Sequence, residues 1–431
     1  MKRFLLLVLT LGVWCAFCGP VGAVSVIRDT EAETTLRGYV RDIFQAAGLE
    51  PENATVVILN DPSVNAFVAG GQTIFIHSGL IMKAQTVDEL VFVLSHETGH
   101  IVGGHIVRGY QTLQNAQTTA LISTVLGGAL AVVGGAPGAA IAVMMGVQAS
   151  GMGVFTKYRQ TEESAADRTA VDIMDKMGYS MHGFEGIMKT LTTYERLNSR
   201  DDGTYLRTHP MTQTRVHDLQ RFLQHPRPLT RDEKFDLLRA KMVGFLEKPE
   251  TVLRTYTGKT SADLYAQSIA LYRLHRFDEA FDKLDALIKR DSDNSYFHEL
   301  KGQFLFEAGR LDAAAESYQQ AYRLKPDSAL TNLSYAQVLL ERAHTADLPL
   351  SEKLLQAVVA KEPDTPIAWQ LLAKVYDRQK RPDMVAYAMA EFSRATGDKA
   401  MAKKRAEKAI TAFPDESGIR QKLQDIIDIG G

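Results

Sequence analysis

The chain has 431 residues, of which 45% are apolar and 23% charged, and its formal net charge is -2. That length predicts two or three domains, and the composition is that of a globular protein, which excludes a disordered chain or one built from many membrane spans. So small a charge supplies no field for a nucleic-acid backbone, and no nucleic-acid partner is expected.

In chain order, Lys2 and Arg3 precede an uncharged apolar run that ends in Val21-Gly22-Ala23. This predicts an export signal over residues 1–23, cleaved after Ala23. Phe17 is too bulky beside Cys18 for a lipid-attachment site, so no lipoprotein is expected. Both cysteines, Cys15 and Cys18, fall inside the signal, so the mature chain is expected to use neither disulfides nor thiol chemistry.

Residues 24–225 mix short strands with helices and are expected to form one domain. Val56 to Leu59 is a short apolar, β-branched run closed by Asn60-Asp61-Pro62, and Asn65 to Ile76 predicts a hairpin around Gly70-Gly71, placed as an edge strand beside a cleft. Thr86 to Glu89 has the form of a capping box, followed by Leu90, Leu94 and Ile101 at helical spacing, so the stretch LSHETGH lies on a helix. Residues 109–156 carry no charge, but Gly134-Gly135-Ala136-Pro137-Gly138 breaks them into halves too short to span a membrane. They are expected to form a packed helical pair or a lid, with membrane-surface contact as a further expectation. A second helix is predicted from Thr161 to Met177, ended by Gly178.

His225-Pro226-Arg227-Pro228 marks a boundary, after which residues 226–260 read as a helical linker. Residues 261–431 read as purely helical and repetitive: RFDEA from Arg276 returns as RLDAA from Arg310, a shift of 34 residues, with Lys325-Pro326-Asp327 closing the second unit. That period, with small residues at the helix crossing and proline after the second helix, resembles the tetratricopeptide repeat.

The chemistry begins at H-E-x-x-H. Residues four apart on a helix differ by about 40° in direction, so His96 and His100 can both turn a ring nitrogen to one ion. Glu97, one position round, can reach a water as a general base. Taken alone, the motif also fits two histidines on an ordinary buried helix. A catalytic zinc needs a third protein ligand and an open position. His105 misses the longer signature H-E-x-x-H-x-x-G-x-x-H by one place, since position 106 is Ile106, and reads as a surface residue or as a partner behind a ligand. Glu163 and Asp167 lie four apart on the next helix, so Glu163 can complete a His-His-Glu site and Asp167 can hold the other ring nitrogen of a liganding histidine. By itself this pair also fits a solvated acidic edge.

Taken together, H-E-x-x-H, an uncharged lid, E-x-x-x-D-R, then Arg207-Thr208-His209-Pro210 and Arg215 resemble the membrane-associated zinc metallopeptidases that include the CAAX prenyl endopeptidases and HtpX. NAFVAGG, from Asn65 to Gly71, matches the stretch that precedes the metal helix in that family, and the C-terminal repeats match a periplasmic member of it. The resemblance implies an α+β gluzincin-type domain, mostly helical with a small sheet, followed by an all-α solenoid. It implies one zinc ion on His96, His100 and Glu163, Glu97 as base and Asp167 behind the ligands. It also implies a periplasmic address, unfolded or misassembled outer-membrane proteins as substrates, and envelope assembly machinery as the partner of the repeats. Arg159 to Glu163 holds one residue more than the family pattern, which leaves Glu162 as a rival to Glu163; the spacing to Asp167 favours Glu163. His209 is read either as a donor to the oxyanion of the transition state or as an inhibitory fourth ligand, and Arg215 as serving the oxyanion or pairing with a carboxylate. The expected activity is that of an exported zinc endopeptidase. The rival is a chaperone or adaptor for envelope assembly with a closed metal site.

Overall fold

The computed structural model describes residues 25–105, 160–197, 205–223 and 227–429. The expected signal (1–23) and lid (109–156) lie outside them, as does Arg159. Among the described residues no helix is long and apolar enough to cross a membrane.

The sheet is small and mixed. Strands β1 (Ser25–Ile27), β2 (Thr55–Asn60), β3 (Ala66–Ala69) and β4 (Thr73–His77) stand in the order β1-β2-β4-β3. β2 runs parallel to β4, and both outer strands are antiparallel to their neighbours. The β3–β4 hairpin turns at Gly70 and Gly71, whose φ angles of 64° and 93° favour a residue without Cβ. β3 is therefore an edge strand of the described sheet. It packs against the helix that carries H-E-x-x-H.

Helix α1 (Thr30–Ala46) covers the sheet and α2 (Ser78–Lys83) follows β4. α3 (Val87–Val102) carries the motif. Thr86 caps it by accepting from the Glu89 amide, while the Glu89 carboxylate reaches back one residue further than a standard box, to the Gln85 amide. Every residue of α3 from Val87 to His100 is buried. Its start is pinned by Asp88, which accepts from the Ser180 amide at 2.7 Å and from the Thr230 amide and hydroxyl, both at 2.8 Å. α4 (Gln160–Met177) crosses α3 where Gly99 meets Ala166: a Cβ on Gly99 would lie 2.7 Å from Ala166 Cα, so only glycine permits this approach. α5 (His182–Leu197), α6 (Tyr205–Thr208) and α7 (Gln213–Gln220) complete the surroundings of the site.

The described chain divides into two compact units, one running through Lys283 and one from Leu284 onward. The first therefore includes α8 (Glu233–Leu246), α9 (Pro249–Thr255) and the first repeat helix, α10 (Ser261–Arg273). A buried polar cluster binds these helices to α1. The Tyr265 hydroxyl donates to Glu31 at 2.7 Å, and Lys241 Nζ lies 2.7 Å from Asp29 and 3.2 Å from Glu31. Lys241→Ala strands two acids beside an apolar core and is expected to cost about 3–5 kcal/mol in urea denaturation. Burial pushes the Glu31 carboxyl above its ordinary value of 4.5, and Lys241 pulls it back. With a folded value above the unfolded one, the folded chain keeps a proton the unfolded chain has lost, so this group's stability contribution falls as pH rises past 4.5. Removing Lys241 widens that gap, so the loss should be smaller near pH 4.5 than at about pH 8. A loss independent of pH would exclude Glu31 as its source.

The second unit stacks antiparallel helices, among them α12 (Ser295–Glu307), α13 (Leu311–Leu324), α14 (Ala329–Arg342), α15 (Leu348–Lys361), α16 (Pro366–Arg378) and α17 (Pro382–Ala395), with α11 (Phe277–Arg290) leading into it. The repeat is visible in one recurring bond. The fourth residue of α12, α14 and α16 binds the carbonyl oxygen six residues earlier: His298 to Ser292 at 2.9 Å, Asn332 to Pro326 at 3.0 Å and Trp369 to Pro363 at 2.7 Å. Three different side chains thus close the same turn between units.

Candidate active site

The α3–α4 crossing at Gly99 and Ala166 sets the site. Beside it, α3 supplies His96 and His100, three residues before and one after Gly99, and α4 supplies Glu163 and Asp167, three before and one after Ala166, all buried. His209, one residue beyond α6, joins them. One ligand atom each from His96, His100, Glu163 and His209 lie within 4.8 Å of one another. Glu162 is half-buried and outside this cluster.

The distances suit a four-coordinate ion. His96 Nε2 lies 3.1 Å from His100 Nε2, 3.3 Å from His209 Nδ1 and 3.5 Å from Glu163 Oε2, and His100 Nε2 lies 3.5 Å from Glu163 Oε1. Bonds of 2.0–2.1 Å to nitrogen and oxygen in a tetrahedron give edges of about 3.3 Å. Both Glu97 oxygens are buried, and Oε1 is 3.4 Å from His209 Nε2. A buried carboxylate compensated only in part is costly in a plain core and useful where a reacting proton must be taken.

Behind these groups stands a second layer of bonds. Asp167 Oδ1 lies 3.0 Å from His96 Nδ1. Arg215, on α7, grips Asp167 with two nitrogens, at 2.6 and 2.8 Å, and reaches Glu163 Oε2 at 2.7 Å and the Pro210 carbonyl at 2.9 Å. The Arg215 guanidinium thus pairs with both carboxylates and with the backbone that leads out of His209. His105 is buried, not on the surface, with Nδ1 2.8 Å from His100 Nδ1. Tyr205 is the residue that sequence reasoning missed. Its ring stacks on His209 at 4.4 Å between centroids and meets His96 edge-on at 6.2 Å. The available signal was its place four residues before His209, one helical turn, closed by the His209 amide donating to the Tyr205 carbonyl at 2.8 Å.

The electrostatics follow from burial set against partners. Burial pulls the His96 imidazole down, but Asp167 and Glu163 outweigh it and hold it at about 9. Burial, reinforced by His96 and His209, drives His100 well below its ordinary value. Glu163 resists the upward pull of burial through hydrogen bonds with His209 and His96 and stays below the usual carboxylate range; Asp167 does so through Arg215 and His96. Glu97 goes the other way. Burial raises it, and the neighbouring histidines offset this only in part.

Residues 30–223 match peptidase family M48, and residues 265–329 and 305–375 match tetratricopeptide repeat families. The chain is 24% identical to the beta-barrel assembly-enhancing protease of Yersinia pestis, over 79% of this chain and 71% of that one. To the protein of the same name from Escherichia coli (strain K12) it is 21% identical, over 78% and 69%. It is 28% identical to metalloprotease LoiP of the same strain over 40% of this chain and 62% of that one. The chain is a metallopeptidase: its residues 30–223 form a peptidase family M48 domain, and tetratricopeptide repeats follow it.

Proposed function

We propose that the chain is an exported zinc endopeptidase that cuts unfolded or misassembled outer-membrane proteins in the periplasm, its repeats holding the client or the assembly machinery. The observation that carries this reading is the buried cluster of His96, His100 and Glu163 with the Glu97 carboxylate, compensated only in part, beside it. The names of the relatives, which speak of β-barrel assembly, support the substrate class.

His96, His100 and Glu163 would hold the ion, one per chain, with Asp167 fixing the His96 ring and Arg215 fixing both carboxylates. Zinc so held supplies a Lewis acid that acidifies water and polarises a carbonyl. Glu97, whose carboxyl burial raises above its ordinary value, takes the proton of the attacking water and returns it to the leaving amine. The edge of β3 supports entry of an extended client as an added strand, since main-chain pairing accepts many sequences. The decisive experiment is cleavage of an unfolded outer-membrane protein by the mature, zinc-loaded chain, with no cleavage after chelation.

His209 governs the resting state in this reading. It offers a fourth ligand nitrogen, and a site with four protein ligands has no position for water. Tyr205, stacked on it, keeps the ring there. His209→Ala is expected to raise basal cleavage while zinc stays bound. A fall of roughly 100-fold or more would instead assign it to the oxyanion. The same closed geometry is the one observation that favours an adaptor with a silent metal site, and removal of the Glu97 base separates the two.

A further inference from the structure

His105 lies five residues beyond His100, and on a continuing helix it would point about 140° away from it. The chain does not continue. Helix α3 ends at Val102, and Gly104 takes a φ of 62°, a left-handed conformation that turns residue 105 back over the last turn. Gly103 leaves room for the returning ring: a Cβ there would lie 2.3 Å from His105 Nε2. The Gly103-Gly104 pair thus delivers a buried imidazole whose Nδ1 lies 2.8 Å from His100 Nδ1, on the side of that ring away from the ligand cluster.

We propose that His105 is the positioning residue for His100, accepting a proton from its Nδ1 so that its Nε2 lone pair is presented to the metal. Only one hydrogen can lie between two imidazole Nδ1 atoms. If His100 donates it, His100 Nε2 is free to bind an ion; if His105 donates it, neutral His100 carries its own hydrogen on Nε2, aimed into the site. The tautomer of His105, with its hydrogen on Nε2, therefore selects the metal-competent form of its neighbour. The two liganding histidines are then oriented by different groups, His96 by the anionic Asp167 and His100 by a neutral imidazole.

The inference rests on the proposed zinc site, and its test reads affinity, not turnover. Zinc affinity is measured by chelator competition on the full mature chain, with cobalt(II) absorption as a second readout of ligand geometry. His105→Ala is expected to bind zinc about 10- to 100-fold more weakly and to shift the cobalt spectrum, with the thermal melt of the repeats unchanged. His105→Asn places an amide oxygen where Nδ1 stood and is expected to recover most of the loss. His105→Gln reaches past that point and is expected not to. Wild-type affinity in the alanine variant, or equal weakness in folded asparagine and alanine variants, overturns the proposal. If the alanine variant does not fold, the asparagine–glutamine comparison decides. A wild-type chain that takes up no zinc would instead overturn the functional reading, so the two failures are distinct.

Discussion

Replacing Glu97 with glutamine is expected to lower peptide hydrolysis by about 100- to 10,000-fold while zinc uptake is unchanged. The amide fills the same volume but cannot take a proton from water. The fold should suffer little, because the amide oxygen of glutamine can still accept from the Tyr205 hydroxyl, the one side-chain hydrogen bond that steadies the Glu97 carboxylate. Removing a charge whose pKa burial already raises should leave stability equal or slightly higher. Cleavage of an unfolded client by the zinc-loaded variant measures the first effect, and thermal melting checks the second. A protein that acted only as an adaptor would keep its function in this variant, and undiminished cleavage would remove Glu97 from the chemistry.

Glu163→Ala is expected to weaken zinc binding by roughly 100-fold or more, since it removes the only charged ligand of the proposed site. The effect reaches beyond the metal. Glu163 also takes Arg215 Nη1 at 2.7 Å and His209 Nδ1 at 3.1 Å, so its loss leaves a buried guanidinium with Asp167 as its single carboxylate. Stability should therefore fall as well, by up to about 3–5 kcal/mol as for other broken buried pairs. Glu163→Gln keeps the shape and separates the two effects: zinc is lost with a smaller loss of stability. Full zinc content in either variant would exclude Glu163 as a ligand.

Much of this protein is periodic, and periodicity is a local property that sequence carries. Four-residue spacing alone set His96 with His100 and Glu163 with Asp167 on common helix faces, because a helix returns to one direction every turn. Gly70-Gly71 announced the β3–β4 hairpin, since few other residues accept its φ angles. The shift of 34 residues announced the repeats. Which of these faces meet was implied by the family resemblance and not by spacing, and the packing that brings them together belongs to the tertiary structure. The contact of Gly99 with Ala166 brings two helices far apart in sequence into one site, and no spacing predicts it. Arg215, which sequence left between oxyanion and carboxylate, is taken by Asp167 and Glu163 because α7 packs beside α4. His105 fails a linear count of helical positions yet reaches His100, because a left-handed glycine reverses the chain after the helix ends. Tyr265, which sequence would assign to a repeat, donates to Glu31 of the peptidase domain. Local spacing fixes the direction of a side chain from its own helix, whereas its partner depends on how separate segments pack, and that is settled by burial and close contact over the whole core.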